Sequence, residues 1–128
     1  MKRDMELVRK VLFAIEEQCE DEPLYNLEIE GYSMNAVAYH CKILHDAGFV
    51  SDYDAGYSDN QLEMFGVGAL TWNGCEFLEK IRQDTVWNKT KDIIKTRGLS
   101  MGLDVIKDVA SNVITSMTEG AIKAMLTP

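Results

Sequence analysis

His40-Cys41-Lys42-Ile43-Leu44-His45-Asp46-Ala47-Gly48-Phe49-Val50 reads as the end of an amphipathic helix, a glycine stop and the start of an extended run. Val37, Cys41, Leu44 and Ala47 follow one another at spacings of four, three and three, which puts them on one helical face. Gly48 supplies the left-handed position on which many helices end. Ser33 precedes Met34 and is a good N-cap, because a serine hydroxyl accepts from a free N–H of the first turn. The pattern predicts a helix over 34–47 and a strand from Phe49.

Working upstream, Met5, Val8, Val11 or Leu12, and Ile15 recur at helical spacing, predicting a first helix from Asp4 to Cys19. Glu20-Asp21-Glu22-Pro23 breaks it. Leu24 to Glu30 alternates weakly and predicts a short strand. Between Pro23 and Ser33 no separate helix is predicted.

Downstream, Phe49 to Tyr53 and Leu62 to Leu70 read as two strands. Ala55 to Asn60, with Gly56, Ser58 and Asp59, reads as the turn between them. Thr71 or Asn73 caps the next helix, and Asn73 with Glu76 has capping-box spacing. Phe77, Leu78, Ile81 and Val86 form its apolar face, and Lys89 to Arg97 continues it as far as Gly98. Ser100 then opens a last helix over about Met101 to Met125. The expected fold is α+β and mainly helical. Residues 1–98 form a domain with a β-hairpin, and residues 99–128 form a C-terminal amphipathic helix for packing or oligomerisation.

The chain has 128 residues and a formal net charge of −8, enough for one small domain with an acidic surface. Residues 1–31 carry four Lys/Arg against nine Asp/Glu. Residues 48–71 carry four acids and no base, and residues 72–97 carry six bases against four acids. Any cationic surface is therefore expected from Lys89, Lys91, Lys95 and Arg97. No apolar run approaches the ~20 residues of a membrane span, and the charged start of the chain does not read as a signal peptide. Cys19, Cys41 and Cys75 are odd in number and isolated, which fits reduced thiols in a cytoplasm rather than a disulfide framework.

The stretch around Gly48 resembles the recognition-helix end of the arsenic-repressor class of winged-helix regulators, whose pattern is His-Leu-Lys-x-Leu-x-x-Ala-Gly-Leu-Val. His40, Lys42, Leu44, Ala47, Gly48 and Val50 match it; Cys41 and Phe49 replace leucines. Leu70-Thr71-x-x-Gly74 resembles the segment that follows the wing in many winged helices. The resemblance implies a winged helix-turn-helix-like domain with a hairpin wing, although a standard member has a middle helix before the recognition helix. Carried over by position, Asn35, Tyr39, His40 and Lys42 would face the major groove, where Asn and Lys can read base edges. Asp52, Asp54, Asp59 and Glu63 stand in the wing instead of the Arg or Lys that would hold phosphates. A solvated face or a protein partner is the competing reading, and the acidic wing favours it.

Cys41 and His45 are four residues apart and share a helical face, but a zinc site needs more ligands, and Cys41 reads better as a small core residue. No metal and no cofactor is expected. Neither is catalysis: there is no phosphate-binding glycine loop, no HExxH and no nucleophile elbow. Trp87, beside Lys89 and Lys91, reads as a packing anchor or, less readily, a partner surface.

In the last helix Leu103, Ile106, Ala110, Val113, Met117 and Ala124 fit a three-four repeat, flanked by Val105, Val109, Ile114, Ala121 and Ile122. Such a stripe packs back on its own domain or pairs two chains. Its width favours a homodimer through Leu103, Ile106, Val113 and Met117.

Met1 to Lys10, Tyr39-His40, Leu70-Thr71-Trp72-x-Gly74 and Asp84 to Lys91 together resemble an uncharacterised family of small phage and prophage proteins bearing a domain-of-unknown-function label. That resemblance implies a phage setting or the cytoplasm of a bacterial host cell, and it carries over no site residues. The expectation is a non-catalytic regulatory protein that binds a host or phage protein. The alternative is a dimeric regulator bound to double-stranded DNA through Ser33–Ala47, with Lys89–Arg97 on phosphates.

Overall fold

The computed structural model describes residues 1–126. It is mixed α and β, mainly helical, in the order α1 (Met5–Gln18), β1 (Leu24–Tyr25), α2 (Met34–Asp46), β2 (Tyr53–Ser58), β3 (Gln61–Val67), α3 (Trp72–Ile81), α4 (Asp84–Thr96) and α5 (Leu103–Leu126). The chain divides into two compact units, Met1–Leu78 and Glu79–Pro128. α4 thus groups with α5, upstream of the boundary that the sequence set at Gly98.

In the first unit, α1 begins where expected because Asp4 Oδ1 accepts from the Glu6 and Leu7 N–H groups at 2.9 and 3.4 Å. Such a cap contributes about 1 kcal/mol. Leu7, Val8, Val11, Leu12 and Ile15 are all buried, and α1 packs against α2. Ser33 caps α2 by accepting from Ala36 N–H at 3.1 Å. Val37, Cys41 and Leu44 are buried as predicted, but Ala47 is exposed. It is the C-cap, already turning away from the apolar face.

The strands form one antiparallel sheet in the order β1-β3-β2. Three expectations change here. The first strand keeps only Leu24–Tyr25, because Asn26 enters the left-handed region at φ 53°. Asn26 stays tied to the sheet: its N–H donates to Phe65 O at 2.8 Å, and its Oδ1 accepts from Phe65 N–H at 3.0 Å. The second strand starts at Tyr53, and Val50 makes only an isolated bridge to Leu70. The turn is not 55–60 but the pair Asp59-Asn60, at φ 51° and 63°. Both positive values mark a two-residue hairpin turn whose twist matches the strands. Gly56, read as turn chemistry, sits in the strand where the register shifts.

The two stretches that the sequence set apart meet in space. Gly48, at φ +79°, ends α2. Thr71 Oγ1 donates to Gly48 O at 2.6 Å and accepts from Gly74 N–H at 3.1 Å, so Thr71, not Asn73, caps α3. Thr71 N–H donates to Phe49 O at 3.0 Å. A β-carbon at Gly74 would collide with that same Phe49 carbonyl oxygen. Gly74 therefore lets α3 reach the backbone that follows α2, and Phe49 stacks on Phe77 with ring centroids 5.0 Å apart.

The single helix predicted from the Thr71 or Asn73 cap to Arg97 is two, α3 and α4, separated at Arg82-Gln83. α4 packs on α5, with Val86, Trp87, Ile94, Ile106, Ala110 and Val113 buried. The Thr90 hydroxyl is also buried, and no hydrogen-bond partner faces it among the described residues. α5 starts at Leu103, and Ile106 N–H donates to Gly102 O at 3.0 Å, two residues past the predicted cap Ser100.

Candidate functional site: a tyrosine-lined groove beside helix α2

α2 and the β2–β3 hairpin enclose a concavity of about 570 Å³. Asn35, Tyr39 and Lys42 line it from α2, Tyr53 and Tyr57 from β2, and Gln61 from the start of β3. On α2, residues 35, 39 and 42 fall at spacings of four and three, which is one face of a helix. On the hairpin the two-residue turn holds Tyr57 over the groove. Tyr57 stays 66% exposed, a large ring open to contact. Burial, aided by the neighbouring Tyr57, Cys41 and Asp54, pushes the Tyr53 hydroxyl above its usual value. It therefore remains a hydrogen-bond donor well past neutral pH.

Three of the four recognition-helix candidates thus come together. The fourth does not. His40 is 1% exposed and cannot meet a ligand. It falls three residues after Val37 and four before Leu44, so it shares their inward face. Asp4 N–H donates to His40 Nε2 at 2.8 Å, and His40 Nδ1 lies 2.7 Å from Ala36 O. A carbonyl accepts only, so the proton is assigned to Nδ1 and Nε2 is the acceptor. The ring ties α2 to the N-cap of α1, a structural role.

Sequence reasoning missed Tyr53, Tyr57 and Gln61. Their signal was the pair of tyrosines four apart in a segment taken for a strand end and a turn. It also missed Trp72, which opens α3 with 78% of its surface exposed.

The basic candidates do not form one patch. At about 100° per residue, Lys89 and Arg97 lie on one side of α4, and Lys91 and Lys95 on the other. Lys89 and Arg97 line a groove between α4 and α5. The Lys91 ammonium sits 5.4 Å from the centre of the Trp87 ring, and Trp87 itself is buried. The pairing candidates also separate. Ile106 is fully buried, Val113 is 7% exposed and Leu103 is half-buried, whereas Met117 is open at 41%. A face centred on Ile106 is closed, because α5 already packs on α4 with its first half.

Cys41 is buried, and burial pushes its thiol up to about 12, while His45 is exposed. They do not come together as ligands. Among the described residues no group of three or more His, Cys, Asp or Glu is placed to hold a metal ion. Among the same residues no helix is long and apolar enough to cross a membrane.

No solved structure matches this chain. An uncharacterised protein of Haemophilus influenzae (strain Rd) is 40% identical over 119 residues, covering 91% of this chain and 98% of that protein. The family model described as hypothetical protein (DUF2513) matches residues 2–100, which hold the α2–hairpin groove and α4. The chain belongs to that family.

Proposed function

We propose that this protein is a non-catalytic phage or prophage module of the bacterial cytoplasm that binds a host or phage protein through the α2–hairpin groove of a winged-helix-like scaffold. The observation that carries the reading is the groove's lining of three tyrosines and three amides (Asn35, Asn60 and Gln61), with Lys42 as the charged side chain among them. Tyrosine offers a large, rigid, amphipathic surface, and amides adapt their hydrogen bonds. Asp52, Asp54, Asp59 and Glu63 are all exposed on or beside the hairpin. Against a phosphate backbone they repel; against a cationic protein surface they attract. The winged-helix reading is supported by the order helix, glycine turn, hairpin, with β1 completing the sheet. The phage setting rests on sequence resemblance.

A DNA-binding regulator is the second reading, favoured by one observation: Asn35, Tyr39 and Lys42 share an exposed face of α2. The two readings part in one experiment. Purified protein, Tyr57→Ala and Tyr39→Ala are compared for capture of host proteins. They are also compared for retention of the gene's own upstream DNA across a salt series. The proposal expects a protein captured by the unmodified chain and lost by about tenfold or more in Tyr57→Ala, since a hot-spot tyrosine contributes about 2 kcal/mol. Specific, steeply salt-dependent DNA retention without protein capture would replace it with the second reading.

A further inference from the structure

Charge is divided unevenly between the two units. Met1–Leu78 carries five Lys/Arg against fifteen Asp/Glu, whereas the unit of α4 and α5 carries eight against six. Within that second unit lies a groove of about 440 Å³ between α4 and α5. Its floor is apolar: Ile93 and Val109 are half-buried and Val113 is buried. Leu99 and Met117 also line it and are still 45 and 41% exposed. Open apolar side chains gathered in one concavity, rather than scattered, mark a contact surface.

The rim decides what fits. Lys89 and Arg97 stand on the α4 side, Asn112 and Ser116 on α5, and among the described residues no carboxylate lines the groove. Neither cation is ion-paired among those residues. An apolar floor bounded by unneutralised cations is complementary to an occupant that is both apolar and anionic. A phosphate backbone would meet the cations but leave the floor wet, so the floor favours protein over nucleic acid. Shape narrows it further. Lys89 to Arg97 on α4 and Val109 to Met117 on α5 each span about 12 Å of helix. A cleft two turns long between two packed helices is filled by a third helix.

We propose that this groove takes an acidic amphipathic helix of a protein partner. The partner's apolar stripe lies on Ile93, Val113 and Met117, and two of its carboxylates, one heptad apart, meet Lys89 and Arg97. Seven residues of helix advance about 10.5 Å, and the long Lys and Arg side chains take up the difference. Asn112 and Ser116 face the other edge of the incoming helix. The surface is separate from the α2–hairpin groove and does not rest on the function proposed for it.

The test is a fluorescence-anisotropy titration of the full chain with three labelled synthetic amphipathic helices. They share one leucine stripe and carry Glu, Gln or Lys at two edge positions one heptad apart. The chain has a net charge of −8, so general attraction favours the Lys peptide, and only a local cationic site reverses that order. The Glu peptide is expected to bind about tenfold tighter than the Lys peptide, and the order should invert in Lys89→Glu/Arg97→Glu. Met117→Asp, at an exposed position that leaves the core intact, should weaken the Glu peptide by about tenfold. No binding of the Glu peptide at about 100 µM, a preference for the Lys peptide, or a Glu preference that survives the double charge reversal would each overturn the proposal. Tighter binding of a short DNA duplex that is lost in the double variant would replace the helix with a phosphate backbone. Self-association lost in that variant would replace it with a second copy of the chain.

Discussion

Cys41 and Gly74 show how single residues hold the first unit together. Cys41 is fully buried, and its thiol is pushed up to about 12 from 9.0 by desolvation. The neutral thiol is the form the fold accepts, so this contribution to stability is complete below pH 9 and is lost as the pH rises toward 12. Alkaline denaturation followed by circular dichroism should show stability falling over that window, and the fall should shrink in Cys41→Ala. The same burial makes the thiol inert. In a labelling time course at pH 8, exposed Cys75 should react first and Cys41 only on unfolding. Gly74 presses on the Phe49 carbonyl, and a methyl there has backbone, not a flexible side chain, in its way. Gly74→Ala should destabilise by at least about 2 kcal/mol, read as a lower urea midpoint. Thr71→Ala should cost about 1 kcal/mol as a lost cap.

Among the elements, helix existence was legible and strand geometry was less so. α1 and α2 were readable because their apolar residues keep a 3.6-residue period and Asp4 and Ser33 are strong caps. The hairpin was misplaced because Gly56 and Ser58 imitate turn chemistry, while the left-handed pair is Asp59-Asn60. Only the pairing of β2 with β3, a long-range fact, decides between them. The break at Arg82-Gln83 was invisible because no glycine or proline marks it. The hairpin turn gives a prediction of its own. Gly suits the second position of this turn better than Asn does, so Asn60→Gly should raise stability by about 0.5 kcal/mol in a denaturant titration. A drop would mean that the Asn60 side chain holds the turn by contacts of its own.

For the whole molecule, the sequence placed the candidate surface on α2 but only half of its composition. Asn35, Tyr39 and Lys42 were found by helical spacing, and His40 was misassigned because a polar residue inside an apolar face reads as exposed until its partners are known. Tyr53 and Tyr57 joined them only once the hairpin folded over α2. The four cations of α4 were counted as one patch, whereas the helix sends them to opposite sides. What results is an acidic chain in which Tyr39, Tyr53 and Tyr57 converge in one groove. The proposed function requires that groove to be a protein-binding surface. The most direct test places a photo-cross-linking phenylalanine derivative at position 57 and irradiates living host cells. A discrete protein adduct, lost when Tyr39→Ala is added, is the predicted result. Adducts to DNA, or none at all, would contradict it.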